Sequence, residues 1–248
     1  MNGIDVLGFL LVLAVAGLMG GLVILQRKKS PSFREIPAFT RLRQAVGRVV
    51  EDGSRLHFSL GRGGLDTPQS ATELAGLGFL RQMASLTSAS DQPPVATSGV
   101  STVAILSQDV LRSSTQAVNP ETAFDNTSGR LAGLTPFSYA AGTLPVIYDE
   151  NVTTTILMGN FGVEVALLTD AGERRNTFVM AASDNLPAQA IMVAGATDTL
   201  IGEELFSSGA YTGAGPLHSA SLSTQDYLRW LLIAVMLVGA ALKLFGVL

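Results

Sequence analysis

Two long apolar runs flank a middle segment in which short apolar stretches alternate with amphipathic ones. Residues 4–26 read IDVLGFLLVLAVAGLMGGLVILQ, and residues 227–248 form a second run with Lys243 near its end. About 20 predominantly apolar residues are enough to cross the hydrocarbon core of a bilayer. Tyr227 and Trp230 lie where an aromatic belt is expected. The pattern therefore predicts one transmembrane helix at each end of the chain.

A cleaved signal peptide is the alternative interpretation of the first apolar run. Ala14-Val15-Ala16 fits a cleavage site. However, no lysine or arginine precedes the run, and the run continues well beyond that site. A retained transmembrane helix is the favoured prediction.

Residues 27–53 are predicted to form a basic juxtamembrane segment followed by an amphipathic helix. Phe39, Leu42, Val46 and Val49 recur at helical spacing, and Gly53 can end the helix. Two interpretations of the apolar face are open. It forms either a collar that faces lipid or a neighbouring protein, or the buried side of an ordinary helix packed on the domain.

Residues 54–211 alternate strand-like and helix-like stretches, and this is the pattern of a parallel sheet with helices on both faces. The predicted fold class is therefore α/β, a Rossmann-like doubly wound and mostly parallel sheet. Pro145 is expected to end or kink its helix, and Asp198 to cap the last helix. Residues 212–226 are predicted to be a flexible linker. The predicted strands are 55–60, 93–99, 130–134, 153–160 and 177–184, and the predicted helices are 69–86, 101–118, 136–150, 161–175, 185–196 and 198–211.

Composition excludes several kinds of chemistry. The chain of 248 residues contains no cysteine, which removes disulfides, thiolate catalysis and cysteine-ligated metal centres. Residues 31–226 contain no lysine, which removes a Walker-type phosphate loop, a Schiff-base lysine and a Ser–Lys dyad.

The charge is divided unevenly along the chain. Residues 27–48 carry seven basic side chains and one acidic side chain, whereas residues 50–226 carry seven arginines and eighteen carboxylates. The net charges of these segments are therefore +6 and −11. An acidic domain is repelled by nucleic acid, so nucleic-acid binding is excluded. Because basic residues flank membrane spans on the cytoplasmic side, the domain is expected to face the cytoplasm. Both termini are expected outside, in a two-pass protein of the cell (inner) membrane.

Small residues in the two spans favour helix association. Gly17 and Gly21 have the four-residue separation that lets helix backbones approach closely, and Gly239 lies in a second smooth patch. The expected partners are the lipid bilayer, further copies of the chain in a homo-oligomer, and other membrane proteins.

The best candidate ligand site lies at the carboxyl edge of the predicted sheet, where such folds bind ligands. Glycines there would let backbone amides approach an anionic group. The alternative is that these residues only form turns and helix caps. The glycine loop departs from the dinucleotide fingerprint, because Asp66 takes the position of the third glycine. The candidate residues are Ser59, Gly61, Gly63, Gly64, Ser98, Gly99, Asn160, Ser183 and Asp184.

No arrangement in the sequence predicts catalysis. His57 is the one histidine in the predicted sheet, and a lone strand histidine is more often a packing residue than a catalyst. The adjacent carboxylates Asp149-Glu150 and Glu203-Glu204 point about 100° apart on a helix and do not form dyads. No catalytic residue, metal site or cofactor is predicted.

Four segments carry a resemblance to a known family: VVEDGSRLHFSLGRGGL (49–65), SDQPPVATSG (90–99), LMGNFGVEVALL (157–168) and LIGEELFSSGAY (200–211). Together, between two membrane spans, they resemble an uncharacterised family of membrane-anchored bacterial and archaeal proteins, known as a domain of unknown function. The resemblance covers most of residues 35–211 and implies no activity.

Two functional hypotheses follow from the sequence. The favoured one is a membrane-anchored structural or interaction component that self-assembles. The alternative is a Rossmann-like domain that binds a ligand or a nucleotide through the loops at the carboxyl edge of the sheet. Such a domain could also be an enzyme.

Overall fold

The computed structural model describes residues 3–27, 33–67, 70–118, 120 and 124–245. Two lysines of the basic segment, Lys28 and Lys29, and the last three residues of the second apolar run lie outside these ranges. In chain order the elements are α1 (Gly3–Gln26), α2 (Pro37–Glu51), β1 (Arg55–Gly61), α3 (Ser70–Thr87), β2 (Val95–Ser98), α4 (Ser101–Val118), β3 (Gly129–Leu131), α5 (Pro136–Asp149), β4 (Val152–Asn160), α6 (Val165–Arg174), β5 (Phe178–Ser183), α7 (Leu186–Gly195), β6 (Asp198–Ile201), α8 (Glu204–Tyr211) and α9 (Pro216–Leu244).

The chain divides into two compact units. The helical unit consists of Met1–Arg34 and Gly209–Leu248, and the α/β unit consists of Glu35–Ser208. In the helical unit, α1 packs against α9, and the Gln26 side-chain amide donates a hydrogen bond of 2.8 Å to Ser223 Oγ. Both helices are long and apolar enough to cross a membrane, and their apolar windows are exposed.

The first part of α9 corrects the predicted linker. Residues 216–226 are helical, so the expectation of a flexible segment is wrong for them. Pro216 occupies the first turn, where its missing N–H is not needed. Ala220 and Thr224 are buried one turn apart, and the Thr224 hydroxyl donates to the Ala220 carbonyl at 2.8 Å. This burial, which composition does not reveal, stabilises the helix.

The α/β unit contains a six-stranded sheet in the order β3-β2-β1-β4-β5-β6. Every pairing is parallel, which confirms the predicted doubly wound α/β class. The central strand β4 is buried almost throughout, as its run of β-branched and apolar residues predicts. This strand order is that of the dinucleotide-binding folds, in which the direction of winding reverses between β1 and its neighbour β4.

Helices cover both faces of the sheet. On one face, α5, α6 and α7 enclose a core with strand residues Leu157, Val179 and Ala181. On the other face, Phe58 of β1 packs edge-on against Phe79 of α3, with ring centroids 6.1 Å apart. A capping box between Thr135 and Ser138 begins α5. The same helix continues past Pro145 to Asp149, so Pro145 does not end it.

The amphipathic helix α2 belongs to the α/β unit. Its apolar side is buried, and Phe39 packs edge-on against Phe79 with ring centroids 6.4 Å apart. Of the two interpretations left open by the sequence, packing on the domain is the one that the structure supports. The folded unit therefore begins at Glu35 rather than at residue 54.

Residues 198–211 correct a second prediction. They form a strand, β6, and then a short helix, α8, instead of one helix capped by Asp198. Asp198 and Leu200 are buried, and β6 pairs in parallel with β5. The Asp198 carboxylate accepts a hydrogen bond of 2.7 Å from Arg41 Nε of α2. The pairing with β5 and the bond to Arg41 are tertiary contacts that override the local helical pattern.

Candidate functional site

The loops after β1 and β4 meet at the point where the strand order reverses. Gly61 and Asn160 are partners in the sheet register, and the Arg62 amide donates to the Asn160 carbonyl at 2.8 Å. In folds of this order, ligands bind in the crevice at this position. The contents of this crevice therefore decide how the site is interpreted.

The side chain of Glu73 fills the crevice. It extends from the first turn of α3 and is fully buried. Glu73 Oε1 accepts a hydrogen bond of 2.9 Å from the Asn160 amide, and the Gly63 amide also donates to this carboxyl group. Among the described residues, Glu73 Oε2 has no hydrogen-bond partner. A side chain of the protein thus occupies the place where a ligand anion would lie.

Close approaches within the protein explain the glycines of the crevice. Gly61 has a φ of +70°, and a Cβ there would lie 2.3 Å from the Asn160 carbonyl oxygen. A Cβ at Gly159 would lie 2.0 Å from the Leu60 carbonyl oxygen, and one at Gly63 would lie 2.3 Å from Glu73 Oε1. The β1–β4 approach and the Glu73 carboxyl group therefore require these glycines without any bound ligand.

Asp184 and Ser183 join the loop after β5 to the same crevice. Asp184 Oδ1 accepts from the Asn160 side-chain amide at 3.0 Å, and Asp184 Oδ2 accepts from the Thr72 hydroxyl at 2.9 Å. Ser183 Oγ accepts from the Asn185 amide at 3.3 Å. These polar groups hold neighbouring loops together.

The loops after β1, β2 and β3 are joined by Arg62. Its side chain crosses Gly99, where a Cβ would lie 2.4 Å from Arg62 Cγ. One guanidinium nitrogen lies 3.8 Å from Glu164 Oε1, and another donates to the Leu134 carbonyl at 3.4 Å. The Gly99 amide donates to the Gly61 carbonyl at 2.8 Å.

Two further candidates form local turns. Ser98 Oγ accepts from the Val100 amide at 3.1 Å and donates to the Val100 carbonyl at 3.0 Å. The Gly64 carbonyl accepts from the Thr67 hydroxyl at 2.8 Å. Both arrangements are hydrogen bonds between a hydroxyl side chain and the nearby backbone, which commonly stabilise turns between a strand and a helix.

A buried polar cluster lies beneath the crevice. The Tyr139 hydroxyl is bonded to Ser59 Oγ and accepts from the Gly61 amide at 3.1 Å. Burial raises the pKa of Tyr139 to about 12. His57 Nε2 lies 2.9 Å from the Thr97 hydroxyl. Burial, with the Arg130 charge, lowers the pKa of His57 to about 3, so the ring is neutral and agrees with the packing interpretation.

The structure brings most of the candidate residues to one edge, but Ser59 points into the core toward Tyr139. Sequence reasoning missed Glu73, Tyr139 and Glu164. A signal for Glu73 was present, because Glu73, Leu77 and Leu80 lie on one buried helical stripe of α3. A carboxylate on the same helix face as buried apolar residues is itself expected to be buried, and a buried carboxylate needs a hydrogen-bond donor.

The charges around the crevice do not suit an anionic cofactor. Asp184 and Glu164 contribute carboxylates beside the buried Glu73 carboxyl group, and Arg62 contributes a positive charge. Within the described part of the chain, no group of three or more potential ligands is placed to hold a metal ion.

Comparison with known proteins gives one match. A family model described as a domain of unknown function (DUF6754) matches residues 2–248. This match confirms the resemblance to an uncharacterised family. No curated protein matches the chain, and no solved structure matches it.

Proposed function

The chain belongs to the DUF6754 family, a domain of unknown function, and we propose that it is a membrane-anchored structural or interaction component. The α/β unit faces the cytoplasm in this proposal. The observation that carries it is the exposed apolar surface of α1 and α9, in a chain whose sheet-edge crevice is filled by its own Glu73.

The exterior of the helical unit supports membrane insertion. Large apolar side chains such as Leu11, Val12, Leu231 and Met236 are more than half exposed. Contiguous apolar surfaces of this extent mark contact with a membrane or another protein. Arg27 follows α1, and Arg229 lies within α9 just before its most apolar part, which supports an orientation with both termini outside.

Ligand binding at the sheet edge is less well supported than this proposal. The strand order favours it, because the crevice at the reversal of β1 and β4 is the usual ligand position. The Glu73 side chain occupies that position, and its neighbours Asp184 and Glu164 add acidic groups. A nucleotide would therefore have to displace Glu73 and approach a surface of its own sign.

Cysteine labelling tests the proposed topology, because the wild-type chain has no cysteine. In intact cells, a membrane-impermeant maleimide is expected to label Asn2→Cys and to leave Ser113→Cys, on the exposed side of α4, unmodified. Ser113→Cys should become labelled once the cells are lysed. Labelling of Ser113→Cys in intact cells would contradict a cytoplasmic α/β unit.

Self-association is expected to depend on the small-residue face of α1. Gly17 has open space where its Cβ would lie, as has Gly8, and nine residues separate them, which places them on opposite sides of the helix. Gly17→Leu should shift the protein in mild detergent from oligomer to monomer, measured by native mass spectrometry. Gly8→Leu is the matched control and should keep the wild-type mass. A wild-type chain that is monomeric throughout the same titration would overturn self-assembly.

A further inference from the structure

The Glu73 carboxyl group ties together two loops that are distant in sequence. Its Oε1 accepts from the amide of Asn160, which ends β4, and the carboxyl group also accepts from the amide of Gly63, which follows β1. A Cβ at Gly63 or Gly159 would lie 2.3 Å or 3.3 Å from Oε1, so the carboxyl group fits closely between the loops. Removing it would leave both amides in the crevice without this acceptor.

The surroundings of the second oxygen, Oε2, bear on whether the Glu73 carboxyl group is protonated. Glu73 Oε2 is buried and has no hydrogen-bond partner among the described residues. A buried oxygen without a hydrogen-bond partner costs more free energy in an ionised carboxylate than in a neutral carboxyl group, because the anion carries negative charge on both oxygens. The geometry of Glu73 therefore favours the neutral acid over the anion.

The surrounding charges act in the same direction. Burial raises the pKa of Glu73 to about 8, and the nearby Asp184 charge also raises it, while the two amide bonds lower it. Tyr139 of α5 faces the Glu73 carboxyl group. Burial raises the pKa of Tyr139 to about 12, so its hydroxyl is neutral. Arg62 of the β1–α3 loop bonds to Leu134 and lies near Glu164, the remaining carboxylate of the β4–α6 loop.

We propose that Glu73 is a proton-operated latch on the crevice between β1 and β4. With its proton, the carboxyl group fills the crevice and joins the two loops. When the proton leaves to water, the buried anion beside Asp184 is unfavourable, and the side chain swings out into solvent. The amides of Gly63 and Asn160 are then exposed at the carboxyl edge of the sheet.

Proton linkage gives the size and sign of the effect. In the open form, Glu73 is solvated and has its ordinary pKa of 4.5, whereas in the closed form its pKa is about 8. The closed form therefore binds more protons between these two pH values, and raising the pH favours opening. The opening constant is expected to rise about tenfold per pH unit in this window and to level off above it.

Hydrogen exchange of the full-length protein in detergent tests the latch. The exchange rates of the Gly63 and Asn160 amides would be measured from pH 5.5 to pH 9 in the wild type and in Glu73→Gln. Glutamine keeps an acceptor for both amides but does not titrate. The ratio of wild-type to variant rates is expected to rise about tenfold per pH unit up to pH 7.5 and to flatten above pH 8. A ratio that does not change with pH overturns the proposal.

Two further measurements keep the test decisive. If Glu73→Gln does not fold, the exchange rates of the Gly63 and Asn160 amides in the wild type are divided by the rate of the Ile156 amide in the middle of β4. This ratio is expected to change with pH in the same way. Asp109→Asn, which removes an exposed carboxylate of α4, should follow the wild-type profile.

Discussion

Gly159→Ala is expected to destabilise the α/β unit by about 3 kcal/mol or more. The added Cβ would lie 2.0 Å from the Leu60 carbonyl oxygen and 2.6 Å from its carbon. Both atoms are backbone atoms of β1, which pairs with β2 and β4 and cannot shift without breaking hydrogen bonds. The free energy of unfolding would be measured by urea titration of the full chain in detergent, followed by far-ultraviolet circular dichroism.

A matched glycine provides the control. Gly78 lies on the exposed side of α3, and a Cβ there would meet nothing within 4 Å. Gly78→Ala is expected to stabilise the protein by about 0.5–1 kcal/mol, because alanine favours the helix and restricts the unfolded chain. Equal midpoints for the two variants would show that the β1–β4 approach tolerates a methyl group and would contradict the close packing at the crevice.

The sheet could be predicted because buried parallel strands have a local signature. The run TTTILMGN reads as a strand on its own, and β4 is in fact central and buried. The four residues of β6 lack such a signature, since its strand geometry depends on pairing with β5 and on the bond from Arg41 to Asp198. Short edge strands of this kind are specified by tertiary contacts, which a single sequence does not display.

The crevice, like the sheet, has one part that local sequence predicts and one part that depends on tertiary contacts. Turn chemistry was enough to locate Gly61, Gly63 and Asn160 at one edge of the sheet. It could not reveal the occupant, because the bond from the Asn160 amide to Glu73 joins residues 87 positions apart. The sequence predicts either a ligand cradle or a turn for the glycine-rich loop, and the structure adds a third role, that of accommodating a side chain of the protein.

Burial of Glu73 also links stability to pH. Its pKa is raised from 4.5 to about 8 in the folded protein, so the folded state holds a proton that the unfolded state releases. The contribution of Glu73 to stability is therefore present below pH 4.5 and is lost as the pH rises toward 8. The slope is about 1.4 kcal/mol per pH unit at most. This slope should disappear in Glu73→Gln, which distinguishes Glu73 from the other carboxylates of the domain.

Phe39→Ala is expected to destabilise the α/β unit by about 3–5 kcal/mol, because it removes a buried aromatic ring from between α2 and α3. Phe39 is 7% exposed, and its ring meets Phe79, which in turn packs against Phe58 of the sheet. Urea unfolding of the full chain in detergent would measure the loss. Arg43→Ala, on the exposed side of the same helix, is the control and should change stability by less than about 0.5 kcal/mol.

The stability losses of Phe39→Ala and Arg43→Ala together decide which role the amphipathic helix α2 has. A helix whose apolar face met lipid would give Phe39→Ala a small effect on unfolding and a large effect on membrane association. A helix that completes the core of the α/β unit gives the opposite pattern, because the lost ring leaves a cavity beside Phe79. A large loss for Phe39→Ala with an unchanged Arg43→Ala would therefore make α2 part of the folded unit. It would leave α1 and α9 as the elements of the chain suited to the bilayer.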